Sequence, residues 1–319
     1  MIETTILGTS SMVPTKDRNH TAIITNFHNK EYILFDCGEG TQRQLRIANI
    51  KPTKIKKIFI SHWHGDHTFG LIGLIQTIFA TRHENDIKIY GPPNSKEKID
   101  KLMDAFKEGE SFDRFEEGEK VIYKSKHDEI NLHIHEFKEN DEIVEKDYKV
   151  IVKKLDHNVD TYGFRLVEKD LKKIKPSFVK KIESLNIKKG PWLKKLKRNK
   201  SVKIKDHTFK SKDAIRIIEG KKIGYVFDTK ICDNIYDIVD NCDLVISEAT
   251  YIESEKDKAE EYKHLTAKQI AQISSECFVK ELVLIHFSQR YKSANEHERE
   301  AKLYFPNTTA AQDFMKFKV

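Results

Sequence analysis

Along the first half of the chain, short apolar runs alternate with polar breaks. Ile23-Ile24, Tyr32-Ile33-Leu34-Phe35, Lys57-Ile58-Phe59-Ile60 and Ile87-Lys88-Ile89-Tyr90 are rich in Ile, Tyr and Phe and close on polar or turn-forming residues. That pattern predicts strands. Residues 41–46, after Gly38-Glu39-Gly40, predict a helix. Residues 66–82 predict a second, largely buried helix, and 103–115 a helix running into a loop. In the second half, strands are expected at 132–135, 150–152, 163–167, 215–218, 223–227, 244–246 and 282–285, with an amphipathic helix over 267–277. Strands and helices mixed in both halves imply α/β layers, sheets covered by helices. No periodic repeat is visible.

Composition narrows this picture. The 319 residues suffice for a sizeable core. The longest apolar run, 69–80, is interrupted by Gln76 and too short to span a bilayer, and residues 1–4 do not read as a secretory signal. Four well-separated cysteines argue against a disulfide framework, and a cytoplasmic protein is expected. Charge is unevenly placed. Residues 169–212 hold 17 Lys and Arg against 3 acids, a net +14 in a chain of net +7, which leaves the remainder at −7. Such asymmetry points to a handle for a polyanion. This basic stretch contains Pro176, a helix-like 179–185 and Gly190-Pro191. It reads as a projecting insertion at about 169–212 within one domain spanning 1–319.

The chemistry concentrates after the apolar strand Ile58-Phe59-Ile60. There His62, His64, Asp66 and His67 fall within six residues. Strand alternation would put His62 and His64 on one side, and the turn at Gly65 would present Asp66 and His67. Imidazole nitrogens and carboxylate oxygens suit Zn²⁺, and four such residues exceed what one tetrahedral ion takes from a single turn. Two ions sharing the cluster are expected. Further ligand-type residues, His157, Asp228 and His286, each follow an apolar strand, where a sheet protein assembles its site. His20, His28, His133, His135 and His207 lack that placement and are set aside.

His-x-His-x-Asp-His followed by His, Asp and His at strand ends resembles the metallo-β-lactamase superfamily. That resemblance implies an α/β fold, an αββα sandwich with the metals at one edge. Asp36, in Phe35-Asp36-Cys37-Gly38, matches an early Asp-x-Gly element that supports the site from behind. His64, where a di-iron branch has Glu, favours zinc. Four stretches narrow the resemblance to the ribonuclease Z family of tRNA 3′-processing endonucleases, in its short form. They are the Pro-x-Lys-x-Arg-Asn loop at 14–19, the metal motif 61–67 with Phe69-Gly70-Leu71, the basic arm with Gly190-Pro191, and Glu248-Ala249-Thr250 with His264-Leu265-Thr266. Ser247 and Leu265 depart from that family's pattern.

The resemblance implies two Zn²⁺ per subunit: His62, His64 and His157 on one, Asp66, His67 and His286 on the other, Asp228 bridging. Asp66 would also accept a proton, and His264, oriented by Glu248, would assist the departing 3′ oxygen. Lys16, Arg18, Asn19, Gly190 and Pro191 would contact substrate. The implied substrate is precursor tRNA, cut to leave a 3′-OH and a 5′-phosphorylated trailer. The arm of one subunit would clamp tRNA for its partner, which implies a homodimer. The competing expectations are another hydrolase of the superfamily, such as a thioesterase, and a non-catalytic RNA-binding protein.

Overall fold

A computed structural model describes residues 1–81, 86–105, 113–117, 120–124 and 129–319. The chain divides into two compact units. The first comprises Met1–Ile143, Val150–Leu166 and Lys222–Val319, the second Val144–Lys149 and Val167–Lys221.

Two sheets supply most of the first unit. One has nine strands in the order Lys316–Lys318, Ile2–Gly8, Ala22–Phe27, Glu31–Phe35, Ile55–Phe59, Ile87–Gly91, Glu129–Glu136, Lys120–Lys124, Asp113–Glu117. The other has seven, running Thr308–Ala310, Leu282–Ile285, Leu244–Glu248, Lys222–Val226, Thr161–Glu168, Tyr148–Leu155, Glu142–Val144. Strand alternation sorts their side chains into layers. Phe35 and Phe59 point inward and meet the opposite sheet. Phe35 stacks on Tyr225 at 3.9 Å between ring centroids, and Phe59 meets Phe164 edge-on at 5.4 Å. Their neighbours Leu34, Ile58 and Ile60 face outward, into a cluster with Leu45, Leu74, Ile75 and Ile99 from covering helices. Across the second sheet, Val245, Leu282 and Leu284 pack under Ile235, Ile270 and Ile273. The result is helix, sheet, sheet, helix, the αββα sandwich.

Two local expectations are revised. The helix expected over 66–82 is two helices, Gly65–Thr68 and Leu71–Ala80. Between them Gly70 lies so close to the loop after Phe35 that a Cβ would sit 2.0 Å from the Gly38 carbonyl oxygen. The far end of that expectation, residue 82, lies outside the described residues. Of 103–115, the helix Ser95–Ala105 holds the start and the strand Asp113–Glu117 the end, while 106–112 lie outside the described residues.

The second unit pairs Leu171–Ile174 with Ile215–Ile218 and Val202–Ile204 with His207–Phe209, and carries the helices Pro176–Ser184 and Trp192–Lys197. Its lysine-rich surface encloses a core of its own. Phe178, Ile182, Leu196 and Phe209 are buried, and Trp192 stacks on Phe209 at 5.6 Å. Among the described residues, no helix is long and apolar enough to cross a membrane.

Candidate metal centre

Strands from both sheets of the first unit deliver their C-terminal ends to one edge. Ile55–Phe59 leads to Ser61 and His62, Glu31–Phe35 to Asp36, Tyr148–Leu155 to His157, Lys222–Val226 to Asp228 and Leu282–Ile285 to His286. Asp36 and His286 leave their strands in the left-handed region, at φ 56° and 61°. Backbone strain of this kind collects at functional sites. The strand expected to carry His62 and His64 ends at Phe59, so both stand on the following loop.

All seven residues expected as ligands come together. His62, His64, His157 and Asp228 form one group, with one donor atom from each lying within 4.8 Å of the others. Asp66, His67 and His286 form a second by the same measure, and Asp228, His264 and His286 a third. His62, His67, Asp228 and His286 are almost wholly buried, and Asp66 nearly so.

Hydrogen bonds around the rings orient them. The Asp36 carboxylate accepts from the Ser61 amide, the Ser61 hydroxyl and His67 Nδ1, each at 2.7 Å. Because Ser61 Oγ donates to Asp36, it accepts from His62 Nδ1 at 2.9 Å. Thr250 Oγ1 donates to Glu248 at 2.7 Å and accepts from His286 Nδ1 at 2.9 Å. His157 Nδ1 donates to the Lys263 carbonyl at 3.1 Å. With Nδ1 hydrogens directed outward, the Nε2 lone pairs of His62, His67, His157 and His286 turn toward the centre. His64 differs, presenting Nδ1 at 3.0 Å from His62 Nε2.

Inside the cluster the groups face one another. His67 Nε2 and His286 Nε2 stand 3.2 Å apart. Buried Asp228 Oδ1 lies 3.3 Å from His286 Nε2 and 3.4 Å from His67 Nε2 without a hydrogen bond to either. Facing lone pairs beside two inward carboxylates fit divalent cations and little else. The electrostatics agree. Burial opposes charge on His67, but Asp228, Asp66 and Asp36 outweigh it and push its pKa well up. Burial also opposes ionisation of Asp66, yet His67 and His286 hold it far below the usual carboxylate range. A positive charge is thus favoured among these carboxylates, and imidazole nitrogens converging with two carboxylates are the donor set of a metal centre.

At the rim, His264 Nδ1 is 3.0 Å from Glu248 Oε1. Burial disfavours the imidazolium, but the Glu248 carboxylate overcomes it and raises the pKa to about 9. Glu248 is fully buried and also accepts from the Thr229 amide at 2.8 Å. A cavity of about 400 Å³ opens over the cluster, lined by His64, Asp66, His157, Asp228, His264 and His286 among others.

The remaining expected residues stand elsewhere. Lys16 is exposed. Arg18 donates to the Tyr291 carbonyl at 2.6 Å and lies over the Phe287 ring. The Asn19 side chain donates to the Glu39 carbonyl at 2.7 Å. The donors of Arg18 and Asn19 are thus turned into the protein. Gly190 and Pro191 belong to the second unit, Pro191 immediately preceding the helix Trp192–Lys197. Of the histidines set aside, none joins a ligand group among the described residues, although buried His20 lines the cavity. Thr250, given no role of its own from the sequence, joins Glu248 to His286, and only its hydroxyl in a strand-end motif hinted at this.

Fold and site define the class, a metallo-β-lactamase-fold protein with a metal centre at the sandwich edge. The metallo-β-lactamase fold protein YhfI from Bacillus subtilis superposes with a TM-score of 0.68 at 16% identity over 99% of this chain and 98% of that one. Residues 2–162, which include the ligand turn, match the family described as anti-Pycsar protein Apyc1. Over the whole chain the likeness is more particular. Ribonuclease Z of Chlamydia abortus is 37% identical across 99% of this chain and 96% of its own length. That of Methanothermobacter thermautotrophicus is 35% identical across 100% and 97%. Human tRNase Z, short form (ELAC1), superposes with a TM-score of 0.68 at 26% identity over 99% of both chains. The chain belongs to the ribonuclease Z family.

Proposed function

We propose that the protein is a metal-dependent endoribonuclease that removes the 3′ trailer from precursor tRNA, leaving a 3′-OH on the tRNA and a 5′-phosphate on the trailer. The observation that carries this is the set of imidazole nitrogens turned in around Asp228, whose Oδ1 makes no hydrogen bond, beneath an open cavity. His62, His64 and His157 would hold one Zn²⁺, Asp66, His67 and His286 a second, with Asp228 shared. Bound, such ions activate a water and offset charge on a phosphodiester. The chain's own groups do the rest. Asp66, at the cavity wall, can take the proton of the attacking water. His264, held at Nδ1 by Glu248, presents Nε2 to the cavity, where it can hold a proton for the departing 3′ oxygen.

The second unit supplies affinity in this reading. Its lysines contact phosphates, which hold a folded RNA by shape and charge without reading bases. Lys16, exposed on its loop, joins them, while Arg18 and Asn19 shape that loop. A homodimer in the cytoplasm completes the reading, resting on the family alone. Asp66→Ala should lower cleavage of a precursor tRNA by about 10³-fold or more while the chain stays folded. Turnover within a few-fold of wild type would sink the assignment.

A further inference from the structure

We infer that Lys263 is a positioning residue that sets the distance between the ligand His157 and the proton-holding His264. Lys263 ends the helix Lys256–Tyr262 in the left-handed region, at φ 55° and ψ 58°. A lysine gains nothing intrinsic there, so surrounding contacts must hold it. The following His264 amide closes the turn on the Ala259 carbonyl at 2.7 Å. This bend aims the Lys263 carbonyl at His157 Nδ1, 3.1 Å away. The same residue returns by its side chain. Its ammonium reaches Asp156 Oδ1 at 2.9 Å and the His157 carbonyl at 3.4 Å. Lys263 thus holds the ring of His157 with its backbone and the segment beneath that ring with its side chain.

Two consequences follow from the geometry. Accepting from Nδ1 leaves Nε2 of His157 as the lone-pair nitrogen, and that atom lies 4.0 Å from Asp228 Oδ2. Because His264 is the next residue, its ring stands 5.2 Å from that of His157, and its Nδ1 meets Glu248. One bend therefore fixes a metal ligand and the leaving-group side of the cavity together. A displaced bend would disturb both at once, leaving the exposed lysines of the second unit untouched.

The inference rests on the metal-centre reading, and zinc affinity measured by chelator competition separates the two. Wild-type protein that binds no zinc would remove the metal-centre reading itself. Lys263→Val, whose branched side chain disfavours the left-handed region, should lose about tenfold in zinc affinity and in kcat, with KM for precursor tRNA unchanged. Lys263→Arg, which restores the ion pair to Asp156, should recover both. Asp156→Ala, which leaves the helix end intact, should show a weaker loss of the same kind and serves if the valine variant fails to fold. A rise in KM with unchanged zinc affinity would make Lys263 an RNA contact and overturn the inference. Lower thermal stability with zinc affinity and kcat intact would reduce it to a helix cap, and would overturn it equally.

Discussion

A histidine binds a cation only through a nitrogen that carries no hydrogen, so the outer partner of each ring decides what its inner face can do. Here Asp36, Ser61, Thr250 and the Lys263 carbonyl are those partners. Thr250→Val removes the acceptor for His286 Nδ1 and should weaken zinc binding by about 10- to 100-fold, whereas Thr250→Ser should retain it. Chelator competition reads both. That the candidate ligands come together was legible from their order: His62 to His67 are nearly consecutive, and His157, Asp228 and His286 each follow an apolar run. Among their outer partners Asp36 was legible through the resemblance of its Asp-x-Gly element, not through any spacing. A threonine or a main-chain carbonyl takes such a role through its three-dimensional neighbours, which no spacing records. His297 shows the same limit. It is fully buried in the helix Asn295–Lys302, and burial pushes its pKa down to about 4. The folded chain therefore keeps it neutral where the unfolded chain protonates. Its stabilising effect is complete above about pH 6.5 and fades as the pH falls toward 4, by roughly 3 kcal/mol in all. Between pH 7.5 and pH 5, the denaturant midpoint should fall further for wild type than for His297→Gln. Equal falls would contradict the assignment.

At the scale of elements, the alternation of apolar residues was enough to predict most strands, and the two aromatic faces follow from it. Phe35 and Phe59 lie inside because Leu34, Ile58 and Ile60 lie outside. The break at Gly70 was not legible, since the cause is the Gly38 carbonyl that approaches it from a distant loop. The basic segment was read as a charged insertion. Its composition hid a small core, because Phe178, Leu196 and Phe209 are spread thinly among lysines and meet only when the helices Pro176–Ser184 and Trp192–Lys197 pack with the strand His207–Phe209. That core gives the exposed lysines a fixed scaffold. Lys194, Lys195, Lys197 and Arg198 stand exposed on or beside the helix Trp192–Lys197. Changing all four to Gln should weaken binding of precursor tRNA and reduce the magnitude of its salt slope by about 0.7–0.9 for each phosphate that is no longer neutralised. Hydrolysis of methyl p-nitrophenyl phosphate should be unchanged. A parallel fall in both activities would mean that these residues support the structure instead.

Across the whole molecule, charge is unevenly divided: residues 169–212 carry a net +14 and the remainder −7. The larger unit holds the candidate metal centre and the smaller one the lysine-rich surface, so on the proposed reading chemistry and affinity should respond to separate substitutions. On the proposed reading, this edge cuts precursor tRNA at the 3′ end through its metal centre. The most direct test maps the 3′ termini produced from a 5′-labelled precursor tRNA, with chelator and after zinc is restored. A single cut at the 3′ side of the acceptor stem, leaving a 3′-OH, should vanish with chelator and return with zinc. Scattered cuts, or cleavage that persists in chelator, would contradict that claim.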